Sequence, residues 1–256
     1  MSGLFGTAML TGLGLVVGSF LNVCIYRLPR RESLAWPASH CPQCNRTLSW
    51  YENIPVASWM ALRGTCRTCG APIGITYPIV ELVTAAVFGI GYWIEGPTLL
   101  LAVRLLFACA MIVLFVIDLR HRILPNVITV PGLAAGLAFS FFLPPGWLAS
   151  ILGALLGGGI LFAIAEAYYR LRGVEGLGMG DVKMLAMIGA FLGWQLTLVT
   201  LVLASFSGSL LGIGLIASGR GRAQSALPFG TFLAVGALVA AFWGDAMLSW
   251  YISLYP

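Results

Sequence analysis

Charge is scarce in this 256-residue chain: only 9% of its residues are Asp, Glu, Lys or Arg, and it has two histidines. A soluble domain of this length needs a hydrated, charged surface, so the scarcity excludes one. The remainder is 59% hydrophobic, and the mean hydropathy is +0.95. The first apolar segment lacks the basic flank of a cleaved signal peptide and reads as a retained helix. The net charge of +5 is read as topological, set by the loops between apolar segments, and not as nucleic-acid binding.

A span needs about 20 largely apolar residues. By that measure the chain is an all-α polytopic membrane protein of about eight transmembrane helices, at roughly 4–26, 78–95, 97–117, 127–143, 147–169, 182–195, 197–217 and 228–252. The break between the sixth and seventh falls near Gly193–Gln195. Every Lys and Arg except Arg104 lies in one of four loops: 27–77, 118–126, 170–183 and 218–227. The last of these carries Arg220 and Arg222. With eight spans all four loops share one side, which the positive-inside rule makes cytoplasmic, with both termini outside. Arg104, within the third span, either snorkels outward or pairs with an acid such as Glu95.

Loop 27–77 is the one long hydrophilic stretch, and it divides the chain into a first helix (1–26), a small cytoplasmic loop domain (27–77) and a membrane domain of about seven helices (78–256). It carries Cys41-Pro-Gln-Cys44 and Cys66-Arg-Thr-Cys69. The spacing is close to that of a zinc ribbon, in which each tight turn presents two thiolates to one metal. Asn45 and Gly70 follow the second cysteine of each pair and suit the positive φ such turns need. A reducing cytoplasm favours structural zinc over two disulfides, and no βαβ pattern supports a redox Cys-x-x-Cys. His40 is an adjacent polar residue. Cys24 and Cys109, inside apolar segments, read as packing residues.

Two carboxylates stand at the inner edges of apolar segments. Asp118 ends the run 99–118, and Asp181 follows Gly178-Met179-Gly180 just before another apolar run. Carboxylates near a bilayer are costly and rare. Singly, Asp181 could be a helix N-cap and Asp118 an ion-pair partner of Arg122. Together they suit an aspartyl protease, in which one carboxyl activates water and its protonated neighbour polarises the scissile carbonyl. Gly178 and Gly180 would let a substrate backbone approach, and Lys183 is either an interfacial anchor or a tuner of Asp181. His121 reads as an interfacial residue. Glu81 and Glu166, near cytoplasmic span ends, are either site residues or partners of loop arginines. The pairs Gly14/Gly18, Gly153/Gly157 and Gly208/Gly212 have the spacing of close helix packing.

These blocks, GSFLNVCIYRLP (18–29), CPQC…CRTC (41–69), YPIVELVTA (77–85), IDLRHRILPN (117–126), EGLGMGDVKMLA (175–186) and LPFGTFLA (227–234), together resemble the type IV prepilin peptidases, or prepilin leader peptidase/N-methyltransferases. The resemblance implies a multi-pass enzyme of the bacterial cytoplasmic membrane. It implies cytoplasmic-side removal of the basic leader of type IV prepilins and type II secretion pseudopilins, then methylation of the new N-terminus with S-adenosylmethionine. It carries the catalytic role onto Asp118 and Asp181 and the zinc-ligand role onto Cys41, Cys44, Cys66 and Cys69. The family commonly has proline after its Phe-Gly pair, where this chain has Thr231. No segment reads as a methyl-donor fold, so that half rests on the resemblance. Rival readings are a proton- or cation-coupled transporter, which would place acids near mid-bilayer with repeat symmetry, and a zinc-loop scaffold, which leaves the aspartates unexplained.

Overall fold

In lipid every backbone N–H and C=O must find its partner within the segment, so apolar runs of this length become helices. The structure, a computed structural model, describes residues 2–174, 176–219 and 227–254. Glu175 of the quoted glycine-rich block, and Arg220 and Arg222 of the last basic loop, lie outside the described residues. The long helices are α1 (Ser2–Arg27), α3 (Thr76–Glu95), α4 (Leu99–His121), α5 (Asn126–Phe139), α6 (Trp147–Arg172), α7 (Met179–Ala217) and α8 (Phe229–Ser253), with a short α2 (Ala57–Ala61) in the loop. Among the described residues the only β pairing is two isolated bridges, both in the cysteine loop.

Six of these helices are long and apolar enough to cross a membrane. The count differs from eight for two physical reasons. At 1.5 Å per residue the 14 residues of α5 span about 21 Å, short of a hydrocarbon core of about 30 Å. The 39 residues of α7 would span about 58 Å, nearly twice that core. That helix is interrupted at Gly193, whose φ of 77° and ψ of 171° are not helical. The expected break therefore exists: α7 is two helices that meet at Gly193, and they correspond to the sixth and seventh apolar segments.

The chain forms two compact units, 1–113 and 114–256. In the first, α1 lies against α3 at Gly14 and Gly18, where an added Cβ would sit 2.7 Å from the Cα atoms of Ala85 and Glu81 respectively. Arg104 pairs with Glu95 at 2.5 Å, so the charge inside the span is neutralised where it lies. Arg27 is buried, and its guanidinium donates to the carbonyls of Ser33, Leu34, Pro37 and Ala38, tying the start of the loop to the end of α1. A residue that counts toward positive-inside charge thus also holds the loop.

In the second unit α6 meets α7 at Gly153 and Gly157, where a Cβ would overlap the carbonyls of Gly189 and Leu185. Gly208 and Gly212 differ: a Cβ there would meet the Phe232 and Leu227 side chains at an ordinary 3.4–3.5 Å. Small-residue spacing marks tight helix contact at the first pair and not at the second. Glu166 pairs at 2.6 Å with Arg170, the first arginine of the basic stretch 170–183, which lies one turn along the same helix.

Candidate active site and metal centre

Helix α8 begins at Phe229 after an extended Pro228, and its first-turn amides have no intrahelical acceptor. Two carboxylates supply the acceptors. Asp118, in the last turn of α4, is 5% exposed, and its Oδ2 accepts the Thr231 amide at 2.7 Å and the Thr231 hydroxyl at 3.0 Å. Asp181, half-buried in the first turn of α7, interacts with the backbone of Gly178 and of Gly230. The Asp118 charge also acts directly on Asp181. A helix N-terminus favours negative charge, so α8 holds both acids in place from one end of one helix.

The turns on either side explain the local geometry. Helix α4 ends at His121, and Arg122 takes a left-handed φ of 54° with its amide bonded to the Asp118 carbonyl at 2.8 Å. Arg122 is exposed, and its charge still acts on Asp118, but the hydrogen-bond donors to the Asp118 side chain come from Thr231. The N-cap of α7 is Gly178; Asp181 is the third residue of the helix and reaches back toward that cap. Between the two turns sits Leu124. A Cβ on Gly180 would lie 3.0 Å from the Leu124 Cβ, and one on Gly230 would lie 2.9 Å from its Cδ1 and 3.0 Å from Asp118 Oδ2. Gly180 thus makes room for Leu124, while a Cβ on Gly178 would stand 3.4 Å from Asp181 Oδ2, in ordinary contact with the carboxylate. Lys183 donates to Asn126 Oδ1 at 3.0 Å, joining α7 to α5.

Gly230 and Thr231 were not singled out by their chemistry in the sequence. The signal was present: Pro-Phe-Gly-Thr opens an apolar run as a helix start does, and the first amides of any helix lack intrahelical acceptors.

The four loop cysteines converge. Their sulfurs all lie within 4.8 Å of one another, and Cys41 Sγ is 3.8 Å from Cys69 Sγ. Four thiolates at about 2.3 Å from a tetrahedral zinc would be about 3.8 Å apart, so the donor set fits that ion. Each pair sits in a turn closed by backbone bonds, Cys41 N–H to Arg46 O with Asn45 N–H to Cys41 O, and Cys66 N–H to Ala71 O with Gly70 N–H to Cys66 O. Asn45 and Gly70 have φ of 54° and 69°, as their position after each pair required. The amides of Cys69 and Thr68 hold the Cys66 thiol down at about 6, and those of Cys44 and Gln43 lower Cys41. Cys69 is pulled down by the Ala71 amide, but burial and the crowding of neighbouring thiols carry it to about 11. Beside the cluster, Arg46 pairs with Glu52 at 2.6 Å, and Glu52 also accepts the Ser49 amide at 2.8 Å. Cys24 and Cys109 stand apart from the cluster.

An all-helical membrane protein with two carboxylates gathered at one helix start, and a four-cysteine loop, is a narrow class. Residues 13–94 match the Bacterial Peptidase A24 N-terminal domain, and residues 105–213 match the Type IV leader peptidase family. The chain is 37% identical over 267 residues to a prepilin leader peptidase/N-methyltransferase of Aeromonas salmonicida, covering 93% of this chain and 91% of the relative. It is 35% identical to that of Pseudomonas aeruginosa, with coverage of 94% and 91%. Against that of Myxococcus xanthus it is 44% identical over 213 residues, 81% of this chain and 63% of the relative. No solved structure shows a significant match. The chain belongs to the prepilin leader peptidase/N-methyltransferase family, and it is a multi-pass bacterial membrane protein.

Proposed function

We propose that Asp118 and Asp181 are the catalytic pair of a membrane-embedded aspartyl endopeptidase that removes the leader of type IV prepilins and type II secretion pseudopilins. The observation that carries this reading is the gathering of both carboxylates at the first turn of α8, with the charge of one acting on the other. In the reaction the ionised carboxylate takes a proton from water as the water oxygen bonds to the scissile carbonyl carbon. The protonated partner gives its proton to the carbonyl oxygen. Collapse of the tetrahedral carbon breaks the C–N bond, and a proton returns to the leaving nitrogen. Both acids sit at helix ends rather than mid-span, which suits a peptide bond at a membrane edge and disfavours an ion-coupled transporter.

Cys41, Cys44, Cys66 and Cys69 hold a structural zinc ion that organises segment 27–77, inserted between the first helix (1–26) and the peptidase region (78–256). A segment of about 50 residues has too small a core to fold alone, and metal binding supplies the missing free energy. On this reading the zinc segment and both aspartates face the cytoplasm, the side that the positive-inside rule expects basic loops to take. The same protein methylates the new N-terminus, and S-adenosylmethionine, when bound, supplies the methyl group as an electrophile.

The test is cleavage of a purified prepilin by the full-length protein in detergent, comparing wild type with Asp118→Asn and Asp181→Asn, each checked for zinc content and thermal midpoint. Folded but inactive variants are expected. Near wild-type cleavage by either one removes that residue from the mechanism.

A further inference from the structure

Among the carboxylates whose partners the structure shows, Glu81 stands out. Glu52, Glu95 and Glu166 each pair with an arginine. Asp118 and Asp181 share the start of α8. Glu81 is 7% exposed, and no Lys or Arg pairs with it among the described residues. Its partners are neutral: Oε2 accepts the Val56 amide at 2.7 Å, and the Ser19 hydroxyl is its other neighbour. A buried carboxylate held by neutral donors invites a cation.

The surroundings are built around it. Glu81 lines a cavity of about 460 Å³ within the first unit, together with Ser19, Asn22, Tyr26, Trp59 and Tyr77. That volume lies within the range of about 300–1,000 Å³ typical of small-molecule sites. Trp59 is oriented by donation from Nε1 to the Ile73 carbonyl at 3.0 Å, and Asn22 donates to the Tyr77 carbonyl at 3.0 Å. The cationic residues on the wall are committed elsewhere, Arg27 to four loop carbonyls and Arg67 to the Tyr51 hydroxyl. Val56 itself is strained: its φ of 60° and ψ of −51° form a tight turn in which the Ala57 amide reaches the Pro55 carbonyl at 2.5 Å. A β-branched residue is seldom found there, and strain of this kind gathers at functional sites. Here it aims an amide at Glu81.

We propose that this cavity is the S-adenosylmethionine pocket, with Glu81 facing the cationic end of the donor and the rings of Tyr26, Trp59 and Tyr77 enclosing it. The inference rests on the methyltransferase half of the function proposed above. A sulfonium and an ammonium on one small ligand are the charges that an anionic, aromatic-walled cavity recognises.

The test is equilibrium binding of tritiated S-adenosylmethionine to the zinc-loaded, full-length protein in detergent, for wild type, Glu81→Gln and Asp118→Asn. Wild type and Asp118→Asn are expected to bind equally, and Glu81→Gln about tenfold or more weakly, since glutamine keeps the acceptor for Val56 and loses only the charge. Ultraviolet cross-linking of the donor to wild type, followed by peptide mapping, should label residues within 16–81. The mapping decides the matter if Glu81→Gln loses zinc or stability. Unchanged binding by a folded Glu81→Gln, or a label in the second unit, overturns the assignment of this cavity alone. Absence of both donor binding and methylated product in wild type overturns the methyltransferase reading with it, while leaving the peptidase test unaffected.

Discussion

Thr231 directs both its backbone amide and its hydroxyl, at 2.7 and 3.0 Å, to the same oxygen of Asp118. Two donors on Oδ2 fix the rotamer of the carboxylate and leave Oδ1 to face its partner or a substrate. Thr231→Ser retains both donors, and its kcat should stay close to wild type. Thr231→Val keeps shape and amide but loses the hydroxyl; a hydrogen bond to a charged group is worth about 1.5–3 kcal/mol, so kcat should fall about tenfold to a hundredfold with KM little changed. Thr231→Pro removes both donors and should be slowest. Steady-state kinetics on a prepilin peptide separates these outcomes; equal activity of the serine and valine variants would mean the hydroxyl only fills space.

Gly230 leaves no room for a side chain, since a Cβ there would press on Leu124 and on Asp118 Oδ2. Gly230→Ala should displace the Asp118 carboxylate and lower kcat at least tenfold, because small misplacements of catalytic groups are costly. Gly70, whose added Cβ would meet open space but whose φ is 69°, should instead affect the zinc loop on substitution by alanine and leave the carboxylates alone. Cleavage rate and zinc retention, measured on both variants, should move in opposite patterns.

Metal content should follow the four converging thiols. Purified wild type should carry about one zinc per chain by elemental analysis, as a tetrahedral four-thiolate site binds a single ion. Serine at Cys41, Cys44, Cys66 or Cys69 should abolish stoichiometric retention, while serine at Cys24 or Cys109 should leave it intact.

The Arg46–Glu52 pair makes a prediction with a defined pH window. The Arg46 guanidinium and the Ser49 amide hold the Glu52 carboxyl down at about 2, against an ordinary 4.5. A depressed acid contributes stability that is fully present above its unfolded value and is lost as pH falls through its folded value. The thermal midpoint of Glu52→Gln should therefore lie below wild type by a constant amount from pH 7 down to about 4.5, and the gap should close toward pH 2. A gap that persists at the acid end would place the effect of the substitution in packing rather than in charge.

The parts legible in the sequence were those set by short-range chemistry. Cysteine spacing, with Asn45 and Gly70 after each pair, placed the four-cysteine cluster and its backbone turns. Pairing of Arg104 with Glu95 was one of the two outcomes that the cost of charge in lipid allowed, and it is the one the structure shows; the interruption at Gly193 was visible as a dip between two apolar runs. Less legible were contacts made across the chain. Thr231 was only a departure from a common proline, because nothing local says that its donors meet a residue 113 positions away. Arg27 looked like one more positive-inside charge until its loop folded over it. The alternative in which Asp181 is only an N-cap is met by a helix that begins earlier, at Met179, with Gly178 as its N-cap. The length of α5 was overstated because apolar residues continue past Phe139 into a turn, and hydropathy does not distinguish the two.

Leu124 touches the space beside Gly180 and the space beside Gly230 at once. One aliphatic side chain is therefore a gauge block between the turn that carries Asp181 and the helix start that receives Asp118. The distance at which two carboxyl groups meet a peptide bond is set here by the bulk of a residue with no polar chemistry of its own. Shortening it should let the two acids drift together, and lengthening it should hold them apart, with both ionisable groups untouched.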